Sequence, residues 1–313
     1  MIVLSLVGGL LLLVGGGEAL VRGAVDVAKR LGVSPLVIGL TLVGFGTSTP
    51  ELVTSLQAAS IGSAGIAVGN VVGSNIANVL LIVGVAALLK PVAVEQKSLL
   101  RDGFVMLAAT AAAVWFVLQG SVGRIDGLVL VAALLVYLGY LFTRGEGPDD
   151  EAVDAQEVVG GRRDSIAFAL ILVVGGLAAT IFGARLLVDG SVELARGLGV
   201  SETVIGLTIV AVGTSLPELV TSVMAAFRGQ SDIAFGNVVG SNIYNILGIL
   251  GLTGAIIPIP VDPQIAVVDI WVMTAAAIAL VVFAVTGARV CRREGALLLL
   301  AYGGYMGWLI ATA

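Results

Sequence analysis

Residues 21–84 lie on residues 188–251 at a constant shift of 167, and 40 of those 64 positions are identical. LGVSPLVIGLT at 31–41 matches LGVSETVIGLT at 198–208. GTSTPELVTS at 46–55 matches GTSLPELVTS at 213–222, and GNVVGSNIANVL at 69–80 matches GNVVGSNIYNIL at 236–247. Fidelity of that order marks one structural unit used twice. What the two copies can build depends on their solvent. Hydrophobic residues make up 58% of the 313 and charged residues 12%, with a mean hydropathy of +1.10. Soluble chains carry about 25% charged residues. Too few polar side chains are present to clothe a water-facing surface, so the chain reads as a polytopic membrane protein.

A membrane-spanning helix takes about 20 mostly apolar residues. Ten segments qualify: Ile2–Val21, Ser34–Ala58, Gly65–Leu89, Gly103–Leu118, Ile125–Phe142, Ser165–Val188, Ser201–Phe227, Ile233–Ile257, Ile265–Val285 and Ala296–Ile310. The last is short and could begin a turn earlier. The N-terminal run lacks a positive leader, and Gly15-Gly16-Gly17-Glu18 is a poor cleavage site, so it reads as a retained span. The first copy of the repeat covers spans two and three, the second spans seven and eight. Five spans separate equivalent points. Because five is odd, the copies cross the membrane in opposite senses.

This is an inverted-topology repeat, the architecture of transporters that work by alternating access, with the binding site near the midplane where the repeats meet. The expected fold is an all-α integral membrane protein of about ten transmembrane helices in two inverted five-helix repeats. These occupy residues 1–142 and 165–313, joined by an acidic linker at 143–164. Twelve of the sixteen lysines and arginines fall in the connections after odd-numbered spans. The positive-inside rule then puts both termini outside and the linker in the cytoplasm of a cell-membrane protein. The linker (Asp149, Asp150, Glu151, Asp154, Glu157) has few large apolar residues and no EF-hand spacing, so it reads as a solvated connector.

Composition removes several chemistries. Without histidine there is no Ser-His or Cys-His nucleophile pair and no imidazole metal site. One cysteine, Cys291, makes neither an intrachain disulfide nor a thiolate cluster. A net charge of −5 with scattered cations gives no nucleic-acid patch.

Two carboxylates, Glu51 and Glu218, lie well inside apolar spans, where an ionised acid costs several kcal/mol without a partner. No lysine or arginine is near either in sequence. The repeat symmetry brings both acids to one place, and two like charges held close repel unless cations or protons sit between them. A divalent cation, two monovalent cations or protons would each serve. The surroundings are oxygen-rich, as a hard cation requires. Thr47 and Ser48 precede Glu51 within one turn, and Thr214 and Ser215 precede Glu218. Pro50 and Pro217 have no N–H for the carbonyls of Gly46 and Gly213. Ser74 and Asn78 share a helix face at a spacing of four, as do Ser241 and Asn245. Asn75 and Asn242 suit either interhelical hydrogen bonding or ion contact. Gly69, Gly73, Gly236 and Gly240 suit close helix packing.

GTSTPE and GTSLPE, each followed by GNVVGSNI, resemble the two α-repeats of the Ca2+:cation antiporter superfamily, in its sodium/calcium exchanger branch with prokaryotic-type members. The resemblance implies a secondary antiporter, not an enzyme, with Ca2+ and Na+ as transported ions and no cofactor. Glu51 and Glu218 would be central ligands shared by both ions. Thr47 and Thr214 would add Ca2+ oxygens, largely through their carbonyls. Ser48, Ser74, Ser215 and Ser241 would line flanking Na+ sites with the carbonyls of Gly44 and Ala211. Asn78 matches a polar position at the centre of the family's site. Asn245 stands where some members, potassium-dependent ones included, carry aspartate, which leaves two acidic groups and argues against K+ co-transport. The first and sixth spans, long and glycine-rich, would be the sliding gate. Beyond the bilayer and the two ions, no nucleic acid or protein partner is implied. A Ca2+/H+ antiporter on the same fold and a cation channel are the competing readings, although the GNxxE pattern of proton-coupled relatives is absent.

Overall fold

The computed structural model describes residues 2–62, 64–94, 96–144, 166–199 and 211–312. The linker expected at 143–164 is described only at 143–144, and the first ten residues of the seventh span, 201–210, also lie outside the described residues. The helices are α1 (Ile2–Leu31), α2 (Pro35–Thr47), α3 (Thr49–Ser60), α4 (Gly65–Leu89), α5 (Gln96–Leu118), α6 (Arg124–Arg144) and α7 (Ile166–Gly197). They continue with α8 (Ala211–Thr214), α9 (Leu216–Phe227), α10 (Ser231–Ile256), α11 (Ile265–Gly287) and α12 (Arg292–Thr312). Among the described residues, eight helices are long and apolar enough to cross a membrane, or nine when the bent α2–α3 pair counts as one span. The apolar α9, in the sequence position of the seventh span, brings the architecture to ten spans. Most helices outrun the apolar windows that announce them. α12 starts at Arg292, a turn before the apolar run.

Four short strands make the inversion visible. β1 (Val92–Ala93) pairs antiparallel with β4 (Arg289–Val290), and β2 (Ser121–Val122) with β3 (Ile259–Pro260). Advancing β1 by the repeat shift of 167 gives β3, and advancing β2 by 168, one residue more, gives β4. Each ribbon therefore joins one strand from each repeat. The β1–β4 ribbon lies in connections after odd spans, and the β2–β3 ribbon in connections after even ones. Other contacts agree with this sorting. Lys90 Nζ donates to Phe227 O at 3.3 Å, and Arg292 Nη2 to Leu89 O at 3.2 Å, gathering the connections after spans three, seven and nine on one face. Arg228 there pairs with Glu18 of α1, which also holds Arg22 one turn on.

α4 and α10 form the centre. Of their most apolar windows, 78% and 94% are buried, against 11% for α12. Glycine makes the centre tight: a Cβ on Gly236 would stand 2.8 Å from Leu36 O, and one on Gly44 would stand 3.1 Å from Ser241 N. α2 and the first half of α10 thus meet backbone to backbone. The equivalent partners of Gly69 and Gly73 fall by symmetry among residues 203–207, outside the described residues. α1 and α7 run antiparallel along each other, and are the longest helices at 30 and 32 residues. At 1.5 Å per residue each exceeds the ~30 Å hydrocarbon layer by roughly half.

Two further acids are buried where the sequence drew no attention. Asp102 in α5 is fully buried and accepts a hydrogen bond from Tyr137 Oη of α6 at 3.1 Å. Asp269 in α11, its counterpart at the same shift of 167, accepts one from Tyr305 Oη of α12 at 2.9 Å. These pairs fasten the outer helices of each repeat together.

Candidate functional site

Each copy of GTSxPE breaks its span at the serine. Ser48 has φ −83° and ψ 8°, and Ser215 has φ −90° and ψ 8°. Both have left the helical well for the bridge region. The proline two residues later opens the next helix, where its missing N–H costs nothing. α2 and α3 consequently meet at 44°. A break of this kind aims the last carbonyls of one half-helix and the positive end of the next at the same spot, which lets a site hold cations and anions together.

Glu51 and Glu218 stand in the first turns of α3 and α9. Opposite them the central helices widen into π turns, Ala77–Val83 in α4 and Tyr244–Leu250 in α10. Such turns recur at functional sites because they disturb the regular hydrogen-bond ladder. The α4 turn carries Asn78 and packs on α9, whereas the α10 turn carries Asn245 and packs on α3. Glu51, Glu218, Asn78 and Asn245 are each 1% exposed. The two acids interact electrostatically, and Ser48 Oγ of the first repeat donates to Glu218 Oε1 of the second at 2.9 Å.

What distinguishes this cluster is oxygen without partners. Both Glu51 carboxylate oxygens, Glu218 Oε2, Asn78 Oδ1, Asn245 Oδ1 and Ser215 Oγ are buried and accept or donate no hydrogen bond. Buried polar atoms are otherwise paired in the large majority of cases. Six oxygens, two acids among them, form a set that a hard cation can use. Among the described residues no group of three acidic, cysteine or histidine ligands occurs, so the cluster's formal charge comes from the two glutamates.

Of the other residues singled out from sequence, Thr47, Gly44 and Ser241 make contacts between the repeats. Thr47 is fully buried, with its hydroxyl within hydrogen-bond reach of Val43 O, Gly44 O and Asn237 Oδ1. Ser241 Oγ donates to Gly44 O at 3.2 Å, joining two residues expected to flank the centre. Ser74 is buried, Thr214 is half-buried, and Ala211 is the first described residue of α8. Asn242 takes the hydrogen-bonding alternative: its Oδ1 accepts from Asn78 Nδ2 at 3.3 Å.

Two positioning residues were missed. Asn70 Nδ2 donates to Glu51 O at 3.1 Å and to Ser55 Oγ at 2.9 Å. Asn237 Nδ2 donates to Glu218 O at 3.2 Å and to Ser222 Oγ at 2.8 Å. The first asparagine of GNVVGSNI therefore holds the main chain of the glutamate from which a ligand side chain springs. Identity of Asn70 with Asn237, and of Ser55 with Ser222, was the available signal. Asn237→Ala is expected to destabilise the protein by about 2 kcal/mol, because it strands a buried carbonyl and hydroxyl. Thermal unfolding in detergent checks it, and an unchanged midpoint would remove the asparagine from this role.

The chain matches the sodium/calcium exchanger protein family over residues 1–143 and 168–311. It is 38% identical over 309 residues to the putative antiporter CaxA of Alkalimonas amylolytica, covering 97% of both chains. It is also 38% identical over 338 residues to the sodium/calcium exchanger MaX1 of Methanosarcina acetivorans, again covering 97% of each. Among solved structures, the sodium-calcium exchanger NCX_Mj soaked with 10 mM Na+ and zero Ca2+ superposes with a TM-score of 0.83 at 33% identity. That match spans 96% of this chain and 97% of the other. With matches of this length on top of the repeated, broken-helix architecture, the chain belongs to the sodium/calcium exchanger protein family, as a multi-pass membrane cation exchanger and not an enzyme.

Proposed function

We propose that this protein exchanges Na+ for Ca2+ by alternating access, with both ions using the buried cluster around Glu51 and Glu218. The observation that carries the reading is the set of six unpartnered buried oxygens shared between the repeats. Two carboxylates in a low-dielectric interior need about two positive charges to be tolerable. One Ca2+ or a pair of Na+ ions supplies them equally well. Occupancy by one ion therefore excludes the other, and that exclusion couples the two fluxes. Thr47, Thr214, Ser48, Ser215, Ser74, Ser241, Asn78, Asn245 and the carbonyls of Gly44 and Ala211 complete the ion shell.

Alternating access needs one face sealed while the other opens. The backbone contact of α2 with α10, at Gly236 and Gly44, provides a seal on one face of the site. With the positive connections inside, this is the cytoplasmic face, both termini are outside, and 143–164 is a cytoplasmic connector between repeats at 1–142 and 165–313. α1 and α7 form the moving gate.

The deciding experiment is uptake of 45-labelled calcium into proteoliposomes loaded with Na+, with choline, or holding only a pH gradient. Uptake that requires internal Na+ is the expected result. Uptake driven by the pH gradient and indifferent to Na+ would assign the coupling to protons. Uptake equal in choline-loaded vesicles without any gradient would make the protein a channel.

A further inference from the structure

Asn78, on the turn that packs against the helix of Glu218, leaves its side-chain oxygen rather than its amide nitrogen without a partner, and the reason lies two side chains away. Asn78 Nδ2 donates to Asn242 Oδ1 at 3.3 Å, and Asn242 Nδ2 donates to Met106 Sδ at 3.7 Å. Asn78 Oδ1 is left buried and without a partner. A carboxamide has one accepting end and one donating end, whereas a thioether can only accept. The sulfur therefore fixes the order of the whole row. Asn242 must turn its NH2 to Met106 and its oxygen to Asn78. Asn78 must then turn its NH2 to Asn242, which leaves its oxygen unpartnered and available to an ion. Reversed, the row would present N–H groups to a cation and repel it.

We propose that Met106 is a positioning residue for ion binding: through Asn242 it holds the Asn78 oxygen toward the Glu51–Glu218 cluster. The proposal rests on the reading of that cluster as the ion site. Met106 is well placed to act as a fixed reference. It is 1% exposed and sits one turn after Asp102, which Arg101 and Tyr137 both engage, fastening this part of α5 to α6.

The other repeat supplies an internal control. At the shift of 167, Met273 matches Met106, Asn75 matches Asn242 and Asn245 matches Asn78. Met273 is equally buried, at 2% exposed. Yet Asn75 Nδ2 donates to Val71 O of its own helix at 3.0 Å, and both amide atoms of Asn245 are unpartnered. The row of three therefore exists once, and the two halves of the site hold their asparagines differently.

The test is Na+-dependent Ca2+ uptake in proteoliposomes carrying Met106→Leu, Met273→Leu or Met106→Gln. Leucine keeps the volume and removes the acceptor. Met106→Leu is expected to raise the KM for Ca2+ by about three- to tenfold, with the maximal rate within about twofold, as losing one orienting hydrogen bond would. Met273→Leu should leave KM unchanged. Met106→Gln, whose side-chain oxygen can accept the same bond, should bring KM back toward the wild-type value. A wild-type KM in Met106→Leu, an equal rise in Met273→Leu, or a Gln variant no better than Leu would each overturn the relay. Glu218→Gln in the same vesicles tests the site itself. Loss of uptake there with no effect at Met106 would dismiss the relay and keep the site.

Discussion

Glu218→Gln is expected to abolish Ca2+ exchange, and Glu51→Gln to do the same, with the protein still folded. Each glutamine keeps the shape of the side chain and removes one of the two negative charges on which the cluster depends. Three of the four carboxylate oxygens have no hydrogen-bond partner in the protein, so their buried charge is left for a cation or a proton to balance. Neutralising either acid leaves Ca2+ with an uncompensated positive charge in a site too dry to screen it. Removing one partner of a buried charge set costs about 3–5 kcal/mol, or more than a hundredfold in affinity. Exchange should fall to the background of empty vesicles. Thermal unfolding separates this from misfolding. Wild-type protein at a Ca2+ concentration of 100 Kd should gain about 2.7 kcal/mol of stability, and the glutamine variants should gain none. Without Ca2+, the variants should melt no lower than wild type, because an uncompensated buried carboxylate is itself unfavourable. Exchange retained in either variant would refute the site.

Much of this was legible in sequence because the repeat carries it. Identity at a constant shift, with an odd number of spans between copies, fixes inversion before any contact is known. Glu51 and Glu218 stood out because an acid inside an apolar run needs an explanation, and the prolines just before them pointed to interrupted helices, whose breaks fall at Ser48 and Ser215. Other features were hidden for physical reasons. A π turn has no composition of its own, so Ala77–Val83 and Tyr244–Leu250 read as ordinary helix. Asn70 and Asn237 drew no attention, since a side chain's bond to a distant carbonyl leaves no mark on spacing. Asp102 and Asp269 lie past the stretch of high identity, where few matched residues remain to reveal the register. The lengths of α1 and α7 were underread because their ends leave the hydrocarbon and stop being apolar.

The second large effect is expected at Gly16, and its neighbour Gly15 is the control. Gly9, Gly16 and Gly23 recur every seven residues on α1, and Gly176, Gly183 and Gly190 do so on α7. A Cβ on Gly16 would stand 2.7 Å from Thr180 N and 2.8 Å from Gly176 O, and one on Gly183 would stand 2.8 Å from Gly9 O. The obstructing atoms are backbone, which cannot swing aside as a side-chain end can. In lipid, where no hydrophobic effect draws helices together, such backbone proximity is the main source of their adhesion. Gly16→Val should therefore pry α1 from α7 and cost about 3 kcal/mol or more, the upper end for overpacking. Nothing lies within 4 Å of a Cβ on Gly15, so Gly15→Val should melt close to wild type. Differential scanning fluorimetry of both variants checks the contrast, and equal melting points would show that the seam is not held by close approach. The functional consequence follows from the same geometry. A seam this tight has no room for α1 to slide past α7, so under the proposed gating the two helices would travel as one body over the α2–α10 core. Gly16→Val should then slow exchange even in the fraction that remains folded, whereas a valine at Gly15 should leave the rate unchanged.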